Sequence, residues 1–359
     1  MNLRSIFLFL SLAPSAYLAA EPFAEWWESY KQKFPVPADL VPMVDYYTHS
    51  QLSEFTSNFW EYLNRINIDQ ISTSGYLNFK QTVACNYFTF IVPVESTYSS
   101  NLTRYSIPVP LSEIEKKHDL LSLENSVQYN TITAKYLQYA IENGWESYLD
   151  HLEEPALGNP PAITYRGKRI SQDILNSLSE YIPILRSIEG KVETVAEVGA
   201  GSGRTAYCFL KLHPGIKYYI IDIPPALYLS QKYLTDLFPE KMIFPFKPYA
   251  VPAECREDIE AAELIFLTPD QMECIPSDSV DLFLAIDCLH EMKPSAIQHF
   301  LDQAQRTARY FYTKNWMNTH VDSYTYNWYS YPIPETWSLL FDEPCFVPSV
   351  FFHSLYQIR

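Results

Sequence analysis

Three glycines within five residues constrain the fold more than any other feature of this 359-residue chain. The chain has only nine glycines, and Gly199, Gly201 and Gly203 directly follow a β-branched run that ends at Val198. Glycine lets the backbone turn tightly and lets a ligand approach without meeting a side chain. A buried strand that ends in such a turn and continues into a helix is typical of a nucleotide-binding α/β sheet. A simple tight turn is the alternative interpretation.

The part of the chain around these glycines alternates between strands and helices. The patterns predict strands over 192–198, 217–222, 263–268, 280–286 and 310–314, and helices over 171–188, 203–213, 225–238 and 295–308. Strands separated by helices form right-handed crossovers and a parallel, doubly wound sheet. We therefore expect a Rossmann-like α/β domain over 161–359. Ligands of such sheets bind outside the carboxyl ends of the strands, so residues at those ends are the candidate site residues.

Residues 21–160 differ from this part in composition and residue pattern, with aromatic residues at helical spacing and few glycines. A turn-rich run over 154–161 separates this region from the α/β part. The chain is 47% apolar and 16% aromatic, which excludes wholesale disorder. We expect 21–160 to be a mainly helical cap that closes over the ligand and contacts the substrate.

Residues 1–20 have the outline of a secretory signal peptide, with Arg4, an apolar stretch over 6–12 and small residues before position 21. This pattern predicts export to the periplasm or the medium. The cleavage pattern is imperfect because Leu18 occupies the third position before the expected cut. The alternative is an apolar helix that stays attached to a cytoplasmic protein. No later stretch approaches the roughly 20 apolar residues of a membrane span.

Charge and cysteine content exclude further classes. The formal charge is −16, from 42 acidic and 26 basic residues, without a basic run, which argues against binding nucleic acid or an anionic membrane. The six cysteines show no C-x-x-C pair, so neither a disulfide scaffold nor a cysteine zinc site is expected. No spacing of carboxylates and histidines indicates a metal site.

The residues beside the glycines indicate which ligand the loop binds. A dinucleotide fingerprint needs glycine at the sixth position of G-x-G-x-x-G, where this chain has Arg204. Glu197, just before the loop, instead suits a cationic ligand without phosphate. S-adenosylmethionine carries an ammonium and a sulfonium group, which nearby carboxylates stabilise. Asp222 ends the second strand, where its carboxylate can accept both ribose hydroxyls. The alternative for Asp222 is an N-cap of the next helix.

Two more strand ends carry candidate residues. After the third strand, Asp270 and Gln271 are expected to border the adenine ring. After the fourth strand, Asp287, His290 and Glu291 are the catalytic candidates. His290 is the first choice as general base because a neutral imidazole exists near pH 7. Glu291 would orient it or act itself, although adjacent helical residues point apart. Asp287 would receive the methionine ammonium or support the loop. The alternative for His290 is a packing or capping role.

The chain resembles the class I S-adenosylmethionine-dependent methyltransferases and, among them, the sugar O-methyltransferase family. Matching stretches run through about residues 50–359; they are Asn78-Phe79-Lys80, Asn86-Tyr87-Phe88, Ser171-Gln172-Asp173 with Asn176-Ser177, Glu197 to Arg204, Asp222 to Tyr228, Ser230-Gln231, Tyr331 to Pro334 with Trp337, and Phe351-Phe352 with Leu355-Tyr356. Two positions depart from the family pattern, namely Ser202, where an aromatic residue is expected, and His353, where an acidic one is typical.

The resemblance implies a methyltransferase that moves a methyl group from S-adenosylmethionine to a hydroxyl of a sugar or glycoconjugate. Lys314, Asn315 and Trp316 follow the fifth strand and are expected to line the acceptor side. Three alternatives stay open: another small hydroxylated acceptor, an exported binding protein that kept the fold, and an NAD-dependent dehydrogenase, which Arg204 disfavours. Because the methyl donor is made in the cytosol, the signal-like segment favours the binding protein. The oligomeric state is not predicted.

Overall fold

The computed structural model describes residues 21–83, 92–248 and 252–359. The signal-like segment 1–20 and the stretch Asn86-Tyr87-Phe88 lie outside these residues. The helices, in chain order, are α1 Phe23–Lys33, α2 Val41–His49, α3 Leu52–Phe55, α4 Asn58–Ser74, α5 Leu111–Ile114, α6 Leu123–Glu142, α7 Glu146–Leu149, α8 Gln172–Ser187, α9 Arg204–Leu212, α10 Ala226–Leu237, α11 Pro252–Ala261 and α12 Pro294–Thr307. Short 3₁₀ turns cover Tyr76–Asn78, Ser100–Leu102, Pro269–Cys274 and Leu289–Glu291.

Most of the strands belong to one large sheet. The strands are β1 Ile163–Tyr165, β2 Lys168–Ile170, β3 Thr194–Val198, β4 Lys217–Ile221, β5 Ile243–Phe244, β6 Leu264–Leu267, β7 Val280–Ile286, β8 Ala308–Trp316, β9 Asn318–Val321, β10 Tyr324–Asn327, β11 Ser338–Pro344 and β12 Phe351–Gln357. Eight of them form a sheet in the order β11-β12-β8-β7-β3-β4-β6-β5, while β1–β2 and β9–β10 are separate hairpins. This order confirms the predicted doubly wound α/β sheet.

The prediction of a purely parallel sheet is wrong at one edge. The strands from β5 through β8 in the sheet order are parallel, but β12 is antiparallel to both β8 and β11. Only residues 345–350 join β11 to β12. A connection this short permits an antiparallel pair, whereas a parallel crossover needs a dozen or more residues. The sheet is therefore mixed, with an antiparallel carboxyl-terminal edge.

The centre of the sheet contains the switch point at which ligands of such folds bind. β3 pairs in parallel with β4 on one side and with β7 on the other. The chain leaves β3 toward one half of the sheet and later returns to build the other half, so the loops at the carboxyl ends of β3, β4 and β7 diverge. These three ends carry the glycine cluster, Asp222 and Asp287, respectively.

The helices cover both faces of the sheet, and each face has its own apolar core. On one face Leu175 of α8 and Phe209 of α9 belong to the same buried cluster as Tyr218 of β4. On the other face Phe300 of α12 packs in a cluster with Phe283 of β7. Successive strand residues alternate between these faces, so buried strands are apolar along their whole length. Because both faces of the sheet are buried, its strands appear in the sequence as short, continuous β-branched runs, and these runs predicted them.

The amino-terminal helices lie over the carboxyl ends of the strands. Tyr46 of α2 donates a hydrogen bond of 2.6 Å to Asp270, and the indole of Trp60 in α4 donates one of 3.0 Å to Glu291. The Phe55 ring lies 4.8 Å from the ring of His299 in α12. The helical segment is thus in contact with the edge that carries the candidate site. The boundary at 160/161 stays a prediction. Among the described helices, none combines the length and apolarity of a bilayer span.

Candidate active site

The glycine loop joins β3 to α9, and its three glycines all have positive φ. The φ angles are 66° at Gly199, 58° at Gly201 and 83° at Gly203, a region that side chains other than glycine rarely adopt. A Cβ on Gly199 would lie 2.5 Å from the Cβ of Cys288, and one on Gly203 would lie 3.0 Å from Leu234. The sequence interpretation attributed the missing side chains to ligand approach. At Gly199 the protein's own packing already requires glycine, whereas at Gly203 the close atom is the end of the flexible Leu234 side chain.

Asp222 connects the glycine loop to the end of β4. One carboxylate oxygen accepts a 2.7 Å hydrogen bond from the backbone N–H of Gly201, and the other accepts one of 2.7 Å from that of Ile223. Burial raises the pKa of Asp222 to about 7. Helix α10 begins at Ala226 with Pro225 as its N-cap, so the alternative that Asp222 caps this helix is wrong. Each oxygen keeps a further lone pair for a ligand hydroxyl.

Glu197 lies beneath the loop rather than beside an open ligand surface. Its side chain accepts a 2.8 Å hydrogen bond from the hydroxyl of Tyr218, and the residue is only 2% exposed. Burial raises the pKa of Glu197 to about 8, although hydrogen bonds from Tyr218 and Thr205 oppose the shift. The contacts of this carboxyl group are therefore protein groups. Its predicted contact with a cationic ligand stays a prediction.

Asp270 and Gln271 lie in the 3₁₀ turn after β6, where protein groups hold both side chains. Asp270 accepts hydrogen bonds of 2.6 Å from Tyr46 and of 2.6 Å from Thr268. The Gln271 amide accepts from the backbone N–H of Thr268 and donates to the carbonyl of Lys247. Gln271 thus completes a capping box with Thr268 and holds the loop that contains Lys247. That these two residues border an adenine ring stays a prediction.

Asp287 ends β7 and belongs to a buried ion cluster of Glu180, Arg204, Asp287 and Lys314. Arg204 donates to both oxygens of Glu180 at 2.7 and 2.9 Å, and Lys314 donates to Glu180 at 2.8 Å. Asp287 Oδ2 lies 3.3 Å from Arg204 and 3.5 Å from Lys314. Burial acts to raise the pKa of Glu180, but the two cations outweigh it and lower the pKa to about 2.

This ion cluster corrects one prediction and contains a residue that the sequence did not reveal. Lys314 is 1% exposed, so it does not line an acceptor surface as predicted. Glu180 gave no signal because one acidic residue in an amphipathic helix is indistinguishable in sequence from a solvated one. Burial raises the pKa of Asp287 against the attraction of the two cations. Its second oxygen, Oδ1, is buried and has no hydrogen-bond partner among the described residues.

His290 and Glu291 lie in the 3₁₀ turn Leu289–Glu291 and contact each other. Nε2 of His290 is 3.4 Å from Oε1 of Glu291, and Nδ1 is 3.3 Å from Oδ1 of Asn315. The expectation that adjacent side chains point apart is therefore wrong, since this segment is not an α-helix. Trp60 donates to the other oxygen of Glu291 at 3.0 Å. His290 is buried, so other residues of the protein surround its side chain.

The ends of the three central strands converge on Cys288. This buried thiol donates to the carbonyl of Val198, at 3.4 Å, directly before the glycine loop. Burial raises its pKa well above the usual range, and nearby carboxylates act in the same direction; they are Asp222, Asp287, Glu291 and Glu197. Four predicted site carboxylates from three different strand ends therefore share one neighbourhood. Asp270, in contrast, is not among these neighbours.

Cysteine pairing and metal-binding clusters are not observed in the described part of the chain. Cys208, Cys255, Cys274, Cys288 and Cys345 are buried and free. Within 21–83, 92–248 and 252–359, no three or more His, Cys, Asp or Glu residues cluster so as to hold a metal ion.

Comparison with known proteins finds similarity only among solved structures. No protein-family model and no curated protein matches the chain. A SAM-dependent methyltransferase from Aquifex aeolicus is similar, with 14% identity, a TM-score of 0.35, and coverage of 51% of this chain and 93% of that one. Mitomycin 7-O-methyltransferase MmcR has 15% identity and a TM-score of 0.34, with 51% and 54% covered. The PH0226 protein from Pyrococcus horikoshii OT3 has 13% identity and a TM-score of 0.33, with 52% and 92% covered. The fold assignment rests on the strand order.

Proposed function

We propose that this chain is an S-adenosylmethionine-dependent methyltransferase that transfers a methyl group to a hydroxyl of a sugar or glycoconjugate. The observation that carries the proposal is the hydrogen bond from Gly201 to Asp222 at the switch point of the sheet. It holds a carboxylate directly against a glycine loop that lacks the sixth-position glycine of a dinucleotide site. A carboxylate in this place favours a nucleoside with free ribose hydroxyls.

The residues around the loop fit such a cofactor. The Asp222 oxygens, each already held by one backbone N–H, retain lone pairs for ribose hydroxyls. The buried, unpartnered Oδ1 of Asp287 suits an ammonium group, and the hydroxyl of Ser202 in the loop is likewise buried without a partner among the described residues. When bound, S-adenosylmethionine supplies an electrophilic methyl group on sulfur. Arg204, which replaces the sixth-position glycine of a dinucleotide site, disfavours the pyrophosphate of NAD.

The chain's own residues would position the acceptor and remove its proton. The His290–Glu291 pair lies at the same sheet edge as Asp222, and a positioned base contributes about 10²–10⁴-fold to such a reaction. Alignment of the acceptor hydroxyl contributes up to about 7–11 kcal/mol. The contact of Trp60 with Glu291 brings the helical segment to this edge, where it would exclude water. These groups favour an enzyme over a non-catalytic binding protein.

Aromatic side chains at the same edge support a sugar as the acceptor. Trp60 touches Glu291, and the Trp316 ring lies 6.1 Å from that of His290. Both indoles are partly exposed. Partly exposed rings offer apolar faces of the kind on which sugar rings stack. A different small hydroxylated acceptor is the second candidate, because the same rings would stack on any flat or cyclic alcohol.

Calorimetry on the full chain tests the cofactor assignment. We expect S-adenosylmethionine and S-adenosylhomocysteine to bind and NAD not to bind, and Asp222→Ala to weaken the binding of both sulfur compounds at least tenfold. Asp281→Asn is the matched control, since Asp281 lies at the opposite end of β7 and accepts from the backbone of Glu193 and Thr194. Absence of binding at millimolar concentration would refute the proposal. Binding without labelled methyl transfer to any glycoside would refute the sugar acceptor and leave two alternatives, another small hydroxylated acceptor and a binding protein.

A further inference from the structure

Asn315 fixes the orientation of the His290 imidazole. The Asn315 amide nitrogen donates a 2.6 Å hydrogen bond to the hydroxyl of Thr313, which itself donates to the carbonyl of Ala285. This leaves the amide oxygen of Asn315 facing His290, where it lies 3.3 Å from both the backbone nitrogen and Nδ1. An amide oxygen only accepts hydrogen bonds, so Nδ1 carries a proton. In neutral His290 the lone pair is therefore on Nε2.

That lone pair faces a carboxylate instead of open space. Nε2 is 3.4 Å from Oε1 of Glu291, so in neutral His290 two electron-rich atoms oppose each other. A proton between them removes the repulsion and produces an imidazolium beside a carboxylate. The lone pair on Nε2 is therefore placed to accept a proton that Glu291 has taken up. Because Asn315 and Glu291 occupy both ring nitrogens, neither nitrogen is directed at a substrate.

Glu291 is the accessible member of the pair. Its side chain is 20% exposed, against 2% for His290, which is enclosed by the rings of Trp316 and Phe351. Trp60 donates to Oε2 of Glu291 and so holds the carboxylate from the side of the helical segment. An acceptor at this edge of the sheet would therefore meet the carboxylate before the imidazole.

We propose that Glu291 is the catalytic group that takes the proton from the acceptor hydroxyl, and that His290, Asn315 and Trp60 are positioning residues behind and beside it. This inference rests on the proposed methyl transfer. As the O–H bond breaks, its electron pair stays on oxygen, which forms the new bond to carbon, and the pair of the broken carbon–sulfur bond stays on sulfur. The proton passes to Glu291 and then to Nε2 of His290. The positive charge of the donor thus ends on the imidazolium.

The tautomer can be read without cofactor or activity. In ¹⁵N NMR spectra of the full-length, cofactor-free protein, we expect the His290 signal to show a protonated Nδ1, with Asn315→Leu abolishing that preference. Comparison with His290→Asn identifies the signal among the eight histidines. A neutral His290 protonated on Nε2 would overturn the inference, because that tautomer would direct a proton, not a lone pair, at Glu291.

Chemical rescue tests the order of the two groups, with a panel of simple glycosides as acceptors. We expect Glu291→Ala to lower kcat at least 100-fold with the cofactor Kd within twofold of wild type, and added formate to restore at least tenfold. Trp60→Phe should lower kcat by up to tenfold at unchanged cofactor Kd. Rescue of His290→Ala by imidazole, without rescue of Glu291→Ala by formate, would reverse the roles and overturn the proposal.

A second histidine–glutamate contact in the protein supplies the matched control. Nε2 of His353 lies 3.4 Å from Glu343, whose side chain is on the edge strand β11. Glu343→Ala should leave kcat unchanged. Loss of cofactor binding in Glu291→Ala would also overturn the inference, because it would assign Glu291 to cofactor binding. Failure of the proposed function differs from both outcomes, since wild type itself would then bind no sulfur cofactor.

Discussion

At the residue scale, single positions around the loop are constrained by their packing as much as by a ligand. Gly199 has a φ of 66° and contacts Cys288, which is also the neighbour of the site carboxylates. A change at Gly199 therefore acts on the whole neighbourhood. Glu197, two residues earlier, carries a carboxyl group whose burial sets its protonation state. Both residues give predictions that need no knowledge of the substrate.

We expect Gly199→Ala to destabilise the protein by about 2 to 4 kcal/mol, from the positive φ and from overlap with Cys288. Denaturant unfolding measures the change. Gly215→Ala is the control, since a Cβ there meets nothing within 4 Å and the φ is not in the positive range. Equal stability of the two variants would show that the loop relaxes around the methyl group.

The raised pKa of Glu197 predicts a pH-dependent contribution to stability. Its folded-state pKa of about 8 exceeds the ordinary 4.5, so between these values the folded state binds the proton that the unfolded state has lost. The free energy of unfolding therefore falls as pH rises through this window. We expect the loss between pH 5 and pH 8 to be at least about 1 kcal/mol smaller in Glu197→Gln than in wild type. If the free energy of unfolding fell equally in the two proteins between pH 5 and pH 8, this prediction would be contradicted.

At the scale of elements, the buried ion cluster joins two helices to two strands. Arg204 is the first residue of α9, Glu180 lies in α8, and Lys314 lies in β8. The cluster holds Asp287 at the end of β7, so it determines the position of a predicted site residue through three neighbouring elements. The cluster can be buried because the charges of its two cations and its two anions balance.

We expect Arg204→Met to destabilise the protein by about 3 to 5 kcal/mol, because Glu180 loses two hydrogen bonds while it stays buried. The comparison is Lys191→Met, whose partner Glu193 and whose own side chain are mostly exposed. That variant should change the free energy of unfolding by less than about 1 kcal/mol. If thermal and denaturant unfolding showed no difference between the variants, the cluster would contribute nothing net to stability.

At the scale of the whole molecule, segments that are far apart in the sequence pack together over the candidate site. Asp322, between β9 and β10, accepts from the backbone nitrogens of Asn58 at 2.9 Å and Phe59 at 3.3 Å. These are orphan donors in the first turn of α4, the helix that carries Trp60. The carboxylate thus caps a helix about 264 positions away in the sequence. It links the helical segment to the carboxyl-terminal part of the chain.

Removing this cap should loosen α4 more than the central sheet. For Asp322→Ala we expect a loss of about 1 to 2 kcal/mol and faster amide hydrogen exchange in Asn58–Ser74, with β3 and β7 unchanged. Asp322→Asn serves as the control, because asparagine tolerates the φ of 51° and retains an acceptor. Exchange that rises equally in the sheet would show that the helix and the sheet open as one unit.

Local sequence patterns could predict much of the α/β core. The predicted helix over 171–188 is present as α8, which Ser171 caps by accepting from the backbone of Ile174, and β7 spans the predicted 280–286. The antiparallel edge was missed because the helical and strand periods of single segments contain no information on pairing direction. The roles of Glu180, Lys314 and Asn315 were missed for a related reason. Each depends on partners far away in sequence, which no local spacing reveals.

The sequence alone determined that the backbone turns sharply after a buried strand, since three clustered glycines and a β-branched run permit little else. It also determined which strand ends carry carboxylates. Only the tertiary structure decided what those groups contact: Asp222 holds Gly201, and Glu197 faces Tyr218 beneath the loop. It likewise placed Glu291, not His290, at the accessible position. Burial and long-range partners set the protonation and orientation of a side chain, and both arise only when the chain is folded.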